Sequence, residues 1–277
     1  MEPKMYVITH KKTSIPNIDG YFPILVGADI HPNIKDYDIK DNNGENISNK
    51  NPNYCELTGV YWIWKNEQPN IIGISHYRRF FSRKSLSGGS KFFLSKENID
   101  QIMRNKRIIL PKARYYQTNI ISVINRAPNM NDLKEMSKAI QACYPEYMKD
   151  YVWFLKQNKA HLYNMFVMRW KDFNDYCEWL FEILSYIEER HDMSAETDNY
   201  RLRLYGFLSE RLLSVWVHHN IKNTEIEYFS VVNTEETFFE RNRHLVGNIK
   251  RNLLYKLYSL SKRKVEVEDK LINTVVG

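Results

Sequence analysis

Cysteine is scarce in this sequence of 277 residues. The three cysteines, Cys55, Cys143 and Cys177, lie far apart along the chain. This spacing excludes a disulfide framework and the paired ligands of a zinc site, and free cysteines are commonly buried. We therefore expect all three to be reduced and to lie in the protein core.

Long apolar runs are missing too. No stretch approaches the about 18 apolar residues of a membrane-spanning helix, and residues 1–10 contain no apolar signal region. The glycosylation sequon at residues 46–48 carries little weight without a secretory signal. These absences predict a cytoplasmic protein.

Several catalytic motifs are also absent, namely the Walker loop, GxGxxG, HExxH and the G-x-S-x-G elbow. A serine or cysteine hydrolase is therefore not supported.

Acidic residues are outnumbered by basic ones, 33 to 40, which gives a net charge of +7. This excess favours an anionic partner, which is a nucleotide, an anionic membrane or a nucleic acid.

Short apolar runs alternate with amphipathic segments, and this order is typical of an α/β fold. The predicted strands cover residues 5–10, 21–28, 71–74, 107–111 and 162–168. The predicted helices cover residues 54–64, 95–105, 129–155 with a break near Pro145, 172–189, 205–216 and 245–264. Pro23 argues against a central position for the first half of the second strand. We expect a loose tail from Val265 onwards.

The stretch from residue 49 to residue 81 is the most informative. Asn51 is a suitable N-cap and Pro52 suits the first helical turn, so a helix is expected through residue 64. Apolar side chains cover most of this helix, which indicates burial, and Glu56 within it needs a polar partner.

A cluster of polar side chains follows the apolar strand at residues 71–74. His76, Tyr77, Arg78 and Arg79 come directly after it. Ligands bind at the carboxyl ends of strands in open α/β sheets, and guanidinium groups match phosphate oxygens. The sequence therefore predicts a ligand that carries phosphate at this place.

Two further segments are candidates for nucleotide contacts. Thr9 and His10 follow the first predicted strand, and residues 36–50 form a polar loop before a helix N-terminus, which attracts anions. In this loop, Asp41 and Asn49 have side chains suited to a ribose or a base. A solvated loop explains them equally well.

The last two predicted helices carry separate signals. In helix 205–216, Glu210 lies in the first turn, at the positive end of the helix dipole. Helix 245–264 has an apolar stripe flanked by arginines and lysines. That stripe is compatible with packing on the domain, on a second copy in a homodimer, or on an anionic membrane. Its members are Val246, Ile249, Leu253, Leu257 and Leu260.

Four segments together resemble one protein family: NISNKNPNYCELTGVYWIWKN, GISHYRRFF, LYNMFVM and RLYGFLSERLL. They are similar to a bacterial glycosyltransferase family of capsular and exopolysaccharide loci that is catalogued as a domain of unknown function. The resemblance covers about residues 5–220. It implies an α/β, glycosyltransferase-A-like single domain with a mostly parallel central sheet flanked by helices.

The resemblance also implies how the chain is divided. Residues 1–220 would form the catalytic domain, with a nucleotide-sugar half at about 1–115 and an acceptor half at about 116–220. Residues 221–277 would form a helical extension that binds a membrane or a partner. The donor would be a UDP-sugar, with galactofuranose or another hexose transferred. The acceptor would be a hydroxyl of a capsular or exopolysaccharide chain or of a lipid-linked oligosaccharide.

Roles for single residues follow from the same resemblance. Glu210 would be the general base of an inverting reaction, assisted by His76, and Arg78 and Arg79 would hold the diphosphate. Thr9, His10, Asp41 and Asn49 would contact the nucleotide. Support or acceptor-side roles would go to Glu56, which would fix one of the arginines, and to Tyr77, Asn164 and Arg211.

The family's usual metal-binding Asp-x-Asp is absent from the position after the central strand, where His76 and the arginines stand. Cationic side chains can neutralise a diphosphate in place of a metal, so we expect no metal requirement. If the enzyme did require Mg²⁺ or Mn²⁺, the metal would be bound by Asp36, Asp38 or Asp41.

Two other classes of function stay open on the sequence alone. A nucleic-acid-binding module is suggested by the basic charge and the aromatic residues, but the family motifs argue against it. A non-catalytic sugar-binding or assembly protein of a polysaccharide locus would share the fold without turnover.

Overall fold

The computed structural model describes residues 2–125, 130–191, 196–198, 201–260 and 262–277. The strands are β1 (Pro3–Thr9), β2 (Tyr21–Leu25), β3 (Ile39–Lys40), β4 (Ile71–His76), β5 (Arg79–Ser82), β6 (Ile108–Pro111), β7 (Arg114–Tyr115), β8 (Lys159–Ala160), β9 (Phe166–Arg169) and β10 (Ile226–Asn233). The helices are α1 (Asn51–Tyr54), α2 (Leu57–Asn66), α3 (Lys96–Met103), α4 (Ile120–Asn125), α5 (Met130–Cys143), α6 (Met148–Lys156), α7 (Trp170–Glu188), α8 (Leu204–Asn220), α9 (Phe238–Tyr258) and α10 (Lys262–Val276).

Eight of these strands form one sheet in the order β3-β2-β1-β4-β5-β10-β6-β9, with a further pairing of β4 with β9. Strands β3, β2, β1 and β4 are mutually parallel, and β6 and β10 are parallel to each other. Strand β9 is antiparallel to both β4 and β6, and β5 is antiparallel to β4 and β10. The sheet is therefore mixed, with six strands in one direction and two in the other.

Strand β1 shows how the two faces of the sheet are covered. Successive side chains of a strand point to opposite faces. Tyr6 and Ile8 pack into a large core with helices including α2 and α5–α8, whereas Met5 and Val7 pack into a smaller core with α3. Burial on both faces explains why the central strands are continuously apolar.

The predicted helix at residues 54–64 is two helices. The chain breaks between α1 and α2 at Cys55, whose φ of 52° is left-handed. Asn51 is the first residue of α1 and not its cap, which is Lys50, while Pro52 lies in the first turn as expected. The break turns Glu56 into the N-cap residue of α2.

The predicted strand at residues 162–168 is shorter than expected. Strand β9 begins only at Phe166, because Tyr163 and Asn164 have left-handed φ values of 79° and 49°. These two residues form a turn before the strand. The helix predicted at residues 205–216 is longer than expected, since α8 runs from Leu204 to Asn220. Glu210 therefore lies in its second turn and not in its first.

The C-terminal region contains more than the predicted helix. Strand β10 lies between β5 and β6, so the central sheet extends past residue 220. The tail from Val265 is not loose, because α10 covers it and Ile272 and Val275 are buried. Buried Glu268 of α10 accepts hydrogen bonds from Ser122 and Tyr258 and from the Asn119 amide. No helix within the described residues is long and apolar enough to cross a membrane.

Candidate functional site

A cleft of about 560 Å³ opens at the carboxyl ends of β1 and β4. Helix α8 and the turn before β9 form its opposite wall. It is lined by Ile8, His10, Val26, Asn51, Pro52, Cys55, Glu56, His76, Tyr77, Arg78, Arg79, Tyr163, Arg203, Phe207 and Glu210. The neighbouring parallel strands β1 and β4 end here, which is where ligands bind in such sheets.

Three arginines face this cleft. The Arg79 guanidinium carbon lies 4.5 Å from the ring centre of Tyr163, and that of Arg203 lies 5.2 Å from the ring centre of Phe207. Arg78 forms an ion pair with Glu235, with Nη1 and Oε2 3.0 Å apart. Stacking on aromatic rings orients a guanidinium without neutralising it, so Arg79 and Arg203 keep their charge available for an anion.

The backbone of Tyr163 joins the two candidate catalytic side chains. Its N–H donates to Glu210 Oε1 at 3.0 Å, and its carbonyl oxygen lies 2.6 Å from His76 Nε2. A carbonyl can only accept, so Nε2 of His76 carries the hydrogen and Nδ1 is left as the acceptor. Burial lowers the pKa of His76, which favours this neutral form. The left-handed backbone of Tyr163 is what presents both peptide groups to the same side of the cleft.

Glu210 has a strongly shifted acidity. Burial raises its pKa to about 7, and the negative charge of Glu56 adds to the effect. The Tyr163 N–H and the charges of Arg211 and Arg79 act in the opposite direction but do not cancel it. A carboxylate whose pKa lies near neutral pH can take up and release a proton under working conditions, as a general base must.

Asn164 connects two elements that carry residues of the cleft. Its amide nitrogen lies 2.6 Å from Glu56 Oε1 and 2.7 Å from Ser209 Oγ. It thereby links the start of α2 to α8, the helix that carries Glu210. Glu56 was predicted to fix Arg78 or Arg79, but the hydrogen bond that the structure gives its carboxylate comes from Asn164.

A second cavity, of about 260 Å³, adjoins the cleft at Phe207 and Glu210. Its lining is mainly apolar and comes from α4, α6, α8 and the residues near β8. Arg211 lies here and not in the main cleft, and its Nη1 donates to the Phe207 carbonyl oxygen at 2.7 Å. Glu210 therefore stands on the boundary between a basic cleft and an apolar cavity.

Three predicted nucleotide contacts are not among the residues that line the cleft. Thr9 is buried and its hydroxyl donates to the Lys11 carbonyl oxygen. Asp41 is fully buried, and its carboxylate accepts from the N–H groups of Gly27 and Ala28 and from Ser48 Oγ. Asn49 is exposed at the start of the helical region. Asp41 is thus occupied in fixing the turn after β2.

Of the predicted residues, His10, Glu56, His76, Tyr77, Arg78, Arg79 and Glu210 do meet in the cleft. Sequence reasoning missed Arg203, Tyr163, Phe207 and Asn51 as lining residues. Arg203 had a signal, since it is the first residue of the RLYGFLSERLL segment and stands one helical turn before Phe207. Its distance in sequence from Arg79 gave no indication that both arginines line the same cleft. Tyr163 had none, because a left-handed tyrosine is fixed by tertiary structure.

Metal ligation has no preformed arrangement in the described part of the chain. No group of three or more His, Cys, Asp and Glu side chains converges there in a way that could hold an ion. Of the alternative ligands named above, Asp36 pairs with Lys12 at 2.6 Å and Asp41 holds the Gly27 turn.

Comparison with known proteins agrees with this architecture. The structure is similar to a solved structure described as the apo form of the bifunctional glycosyltransferase WbbM, with a TM-score of 0.77 and 28% sequence identity. The similarity covers 85% of this chain but only 46% of that one, so the chain spans less than half the length of that protein. A search of curated proteins found no match. Residues 4–222, most of the sequence, match the family described as a domain of unknown function, DUF4422, and the chain therefore belongs to that family.

Proposed function

We propose that this protein is a glycosyltransferase of the glycosyltransferase-A type that uses a nucleotide-sugar donor. The observation that carries the proposal is Glu210, a carboxylate with a pKa of about 7 beside a cleft lined by three arginines. The likeness to the WbbM glycosyltransferase supports the same class of reaction. Nucleic-acid binding has no comparable support, because the arginines line a concave pocket and do not form an extended track.

The donor diphosphate would bind Arg79 and Arg203, with Arg78 joining them. In the free protein Arg78 is paired with Glu235, so a diphosphate has to compete with this carboxylate for it. As the bond between sugar and diphosphate breaks, negative charge grows on the leaving oxygen, and guanidinium groups fixed nearby stabilise that charge. His10 and Tyr77 form the part of the cleft where the nucleoside would lie.

Glu210 would remove the proton from the acceptor hydroxyl. The attacking oxygen would then reach the anomeric carbon from the side opposite the diphosphate, which inverts the configuration. His76 would act through the backbone of Tyr163, whose carbonyl oxygen accepts from His76 Nε2 and whose N–H donates to Glu210. His76 is therefore a positioning residue in this mechanism.

The finer assignments rest on the family resemblance. We propose UDP as the nucleotide, galactofuranose or another hexose as the transferred sugar, and a capsular or exopolysaccharide chain or lipid-linked oligosaccharide as the acceptor, all in the cytoplasm. The cavity beside Glu210 would receive the acceptor, and Arg211 lies in its wall. No step of the mechanism requires a metal.

The first test is thermal stabilisation of the protein by UDP, GDP, CMP and dTDP, each with and without EDTA. A ligand that binds only the folded state raises the melting temperature by mass action. We expect one nucleotide to stabilise the protein in EDTA, and Arg79→Gln and Arg203→Gln each to remove most of that shift. Arg104→Gln, which changes an exposed arginine at the C-terminal end of α3 and outside the cleft, is the matched control. Failure of every nucleotide to stabilise the protein would refute a donor site.

The second test is turnover with the nucleotide sugar that stabilises best. Glu210→Gln should keep nucleotide binding and lose transfer, because the amide cannot accept the hydroxyl proton. Transfer by the wild-type protein should rise with pH through about 7, as the carboxyl of Glu210 ionises. Binding without turnover in the wild-type protein would favour a non-catalytic sugar-binding role.

A further inference from the structure

Helix α9 exposes its apolar side to solvent. Residues spaced three, four and seven apart form one continuous stripe on the outer surface, in contrast to the usual burial of such a stripe. The exposed fraction is 81% for Phe239, 57% for Leu253 and 67% for Leu257. The outer stripe is formed by Phe239, Val246, Ile249, Leu253 and Leu257, and exposed Leu260 follows just after the helix ends.

The inner side of α9 is polar and fixes the helix in this orientation. Asn248 Oδ1 accepts from the Tyr115 N–H at 2.7 Å, and Arg251 Nε donates to the Tyr115 carbonyl oxygen at 2.7 Å. Arg241 Nε donates to the Leu86 carbonyl oxygen at 3.0 Å. Because these bonds hold the polar side against the domain, the outward direction of the apolar stripe follows from specific contacts.

Helix α9 has only positive charges beyond its first turn, which contains Glu240. From residue 241 to residue 258 the helix has five arginines and lysines and no aspartate or glutamate. Arg243, Lys250 and Lys256 are exposed beside the apolar stripe. An exposed apolar stripe with cationic flanks matches the boundary between the acyl chains and the anionic headgroups of a bilayer.

We propose that the outer face of α9 binds an anionic lipid surface, with the helix lying in the plane of the interface. A second copy of the chain fits this face less well. Two α9 helices packed through their stripes would bring three cations of each copy together, namely Arg243, Lys250 and Lys256. The single acidic residue of the helix, Glu240, already accepts hydrogen bonds from Thr237 at the N-cap.

One end of α9 lies near the cleft. The segment that leads into the helix passes along the rim, where Thr234 N–H donates to the Arg78 carbonyl oxygen at 2.9 Å and Glu235 pairs with the Arg78 side chain. The N-terminal end of α9, which begins at Phe238, therefore lies close to the cleft. The membrane contact itself does not depend on the proposed enzymatic activity.

The test is co-sedimentation of the full chain with vesicles of phosphatidylcholine alone and of phosphatidylcholine with phosphatidylglycerol. We expect binding to the anionic vesicles only, and weaker binding as salt is added. The combined variant Ile249→Gln, Leu253→Gln and Leu257→Gln keeps the charge and should reduce partitioning by about tenfold or more. Its control is Ile30→Gln, which changes an exposed apolar residue elsewhere.

A second variant tests the electrostatic part. Arg243→Gln, Lys250→Gln and Lys256→Gln together should also reduce binding, whereas removing three cations elsewhere should not. The control set is Lys35→Gln, Lys149→Gln and Lys171→Gln, whose lysines are exposed on other parts of the surface. Unchanged melting temperatures would show that the variants are folded. Equal binding by all variants, or no binding by the wild-type chain, would overturn the proposal. So would a dimer in solution that only the α9 apolar variant dissociates.

Discussion

The shifted acidity of Glu210 has a consequence for stability that can be measured without any substrate. The folded protein has a pKa of about 7 at this carboxyl, against an ordinary value of 4.5. Between these two values the folded state holds a proton that the unfolded chain has released. Stability from this group is therefore complete below pH 4.5 and is lost as the pH rises through 7.

The size of the effect follows from the shift. Each pKa unit corresponds to about 1.4 kcal/mol, so the loss between pH 4.5 and pH 8 is about 3 kcal/mol. Glu210→Gln has no proton to lose and keeps an oxygen to accept the Tyr163 N–H. The free energy of unfolding of the variant should therefore gain about 3 kcal/mol relative to wild type over this pH range, which is about 6 °C in melting temperature for a chain of this size.

The assay is thermal unfolding of both proteins at a series of pH values from 4.5 to 8, without ligand. Only the difference between the two curves is used, because all other titrating groups are shared. Glu178→Gln, a change at an exposed position of α7, is the control, and its difference from wild type should be constant. A constant difference for Glu210→Gln as well would show that the carboxyl is ionised at ordinary pH, and the proposed base would lose its physical basis.

Three further predictions concern other parts of the molecule. Asp41→Asn should lower the free energy of unfolding, measured in urea, by about 1–3 kcal/mol. The Gly27 and Ala28 N–H groups donate to different oxygens of this carboxylate, and an amide has only one oxygen to accept them. An unchanged urea midpoint would contradict the structural role of Asp41. Gly73→Ala would place a Cβ 2.0 Å from Met5 Sδ and should lower the free energy of unfolding by about 1–3 kcal/mol. Gly89→Ala is the control, because the nearest atom to its Cβ would be 3.7 Å away. Equal melting temperatures of the two variants would refute this packing. Glu235→Gln removes the carboxylate that competes for Arg78. It should tighten nucleotide binding, measured by titration calorimetry, by up to about fivefold. Weaker binding would mean that Glu235 positions Arg78 for the ligand.

The sequence was most informative where local chemistry decides structure. The apolar run before His76 became β4, and the end of that strand carries the predicted cations. Helix α3 begins one residue after the predicted start, with Ser95 as its N-cap. These features depend on neighbours in the chain, so a pattern can predict them. The proximity of His76 to Arg79 likewise follows from a tight connection between β4 and β5.

The rest depended on contacts between distant segments. The break at Cys55 is stabilised by Asn51 Nδ2 and Thr58 Oγ1, which both donate to its carbonyl oxygen, and no propensity of cysteine predicts it. Strand β10 was missed because most of its side chains are half-buried on both faces, which leaves no clean alternation. Helix α10 was missed because charged residues dominate it, although Glu268 among them is buried in a hydrogen-bonded cluster.

Strand β10 also bears on how this protein should be produced in pieces. The family match ends at residue 222, and that position would be a natural choice for a shortened chain. Such a chain would lack β10, so β5 and β6 would each present a row of unpaired backbone groups to solvent. Exposed edges of this kind recruit strands from other molecules and cause aggregation. A fragment that retains residues through at least Asn233 is therefore the shortest one that closes the sheet.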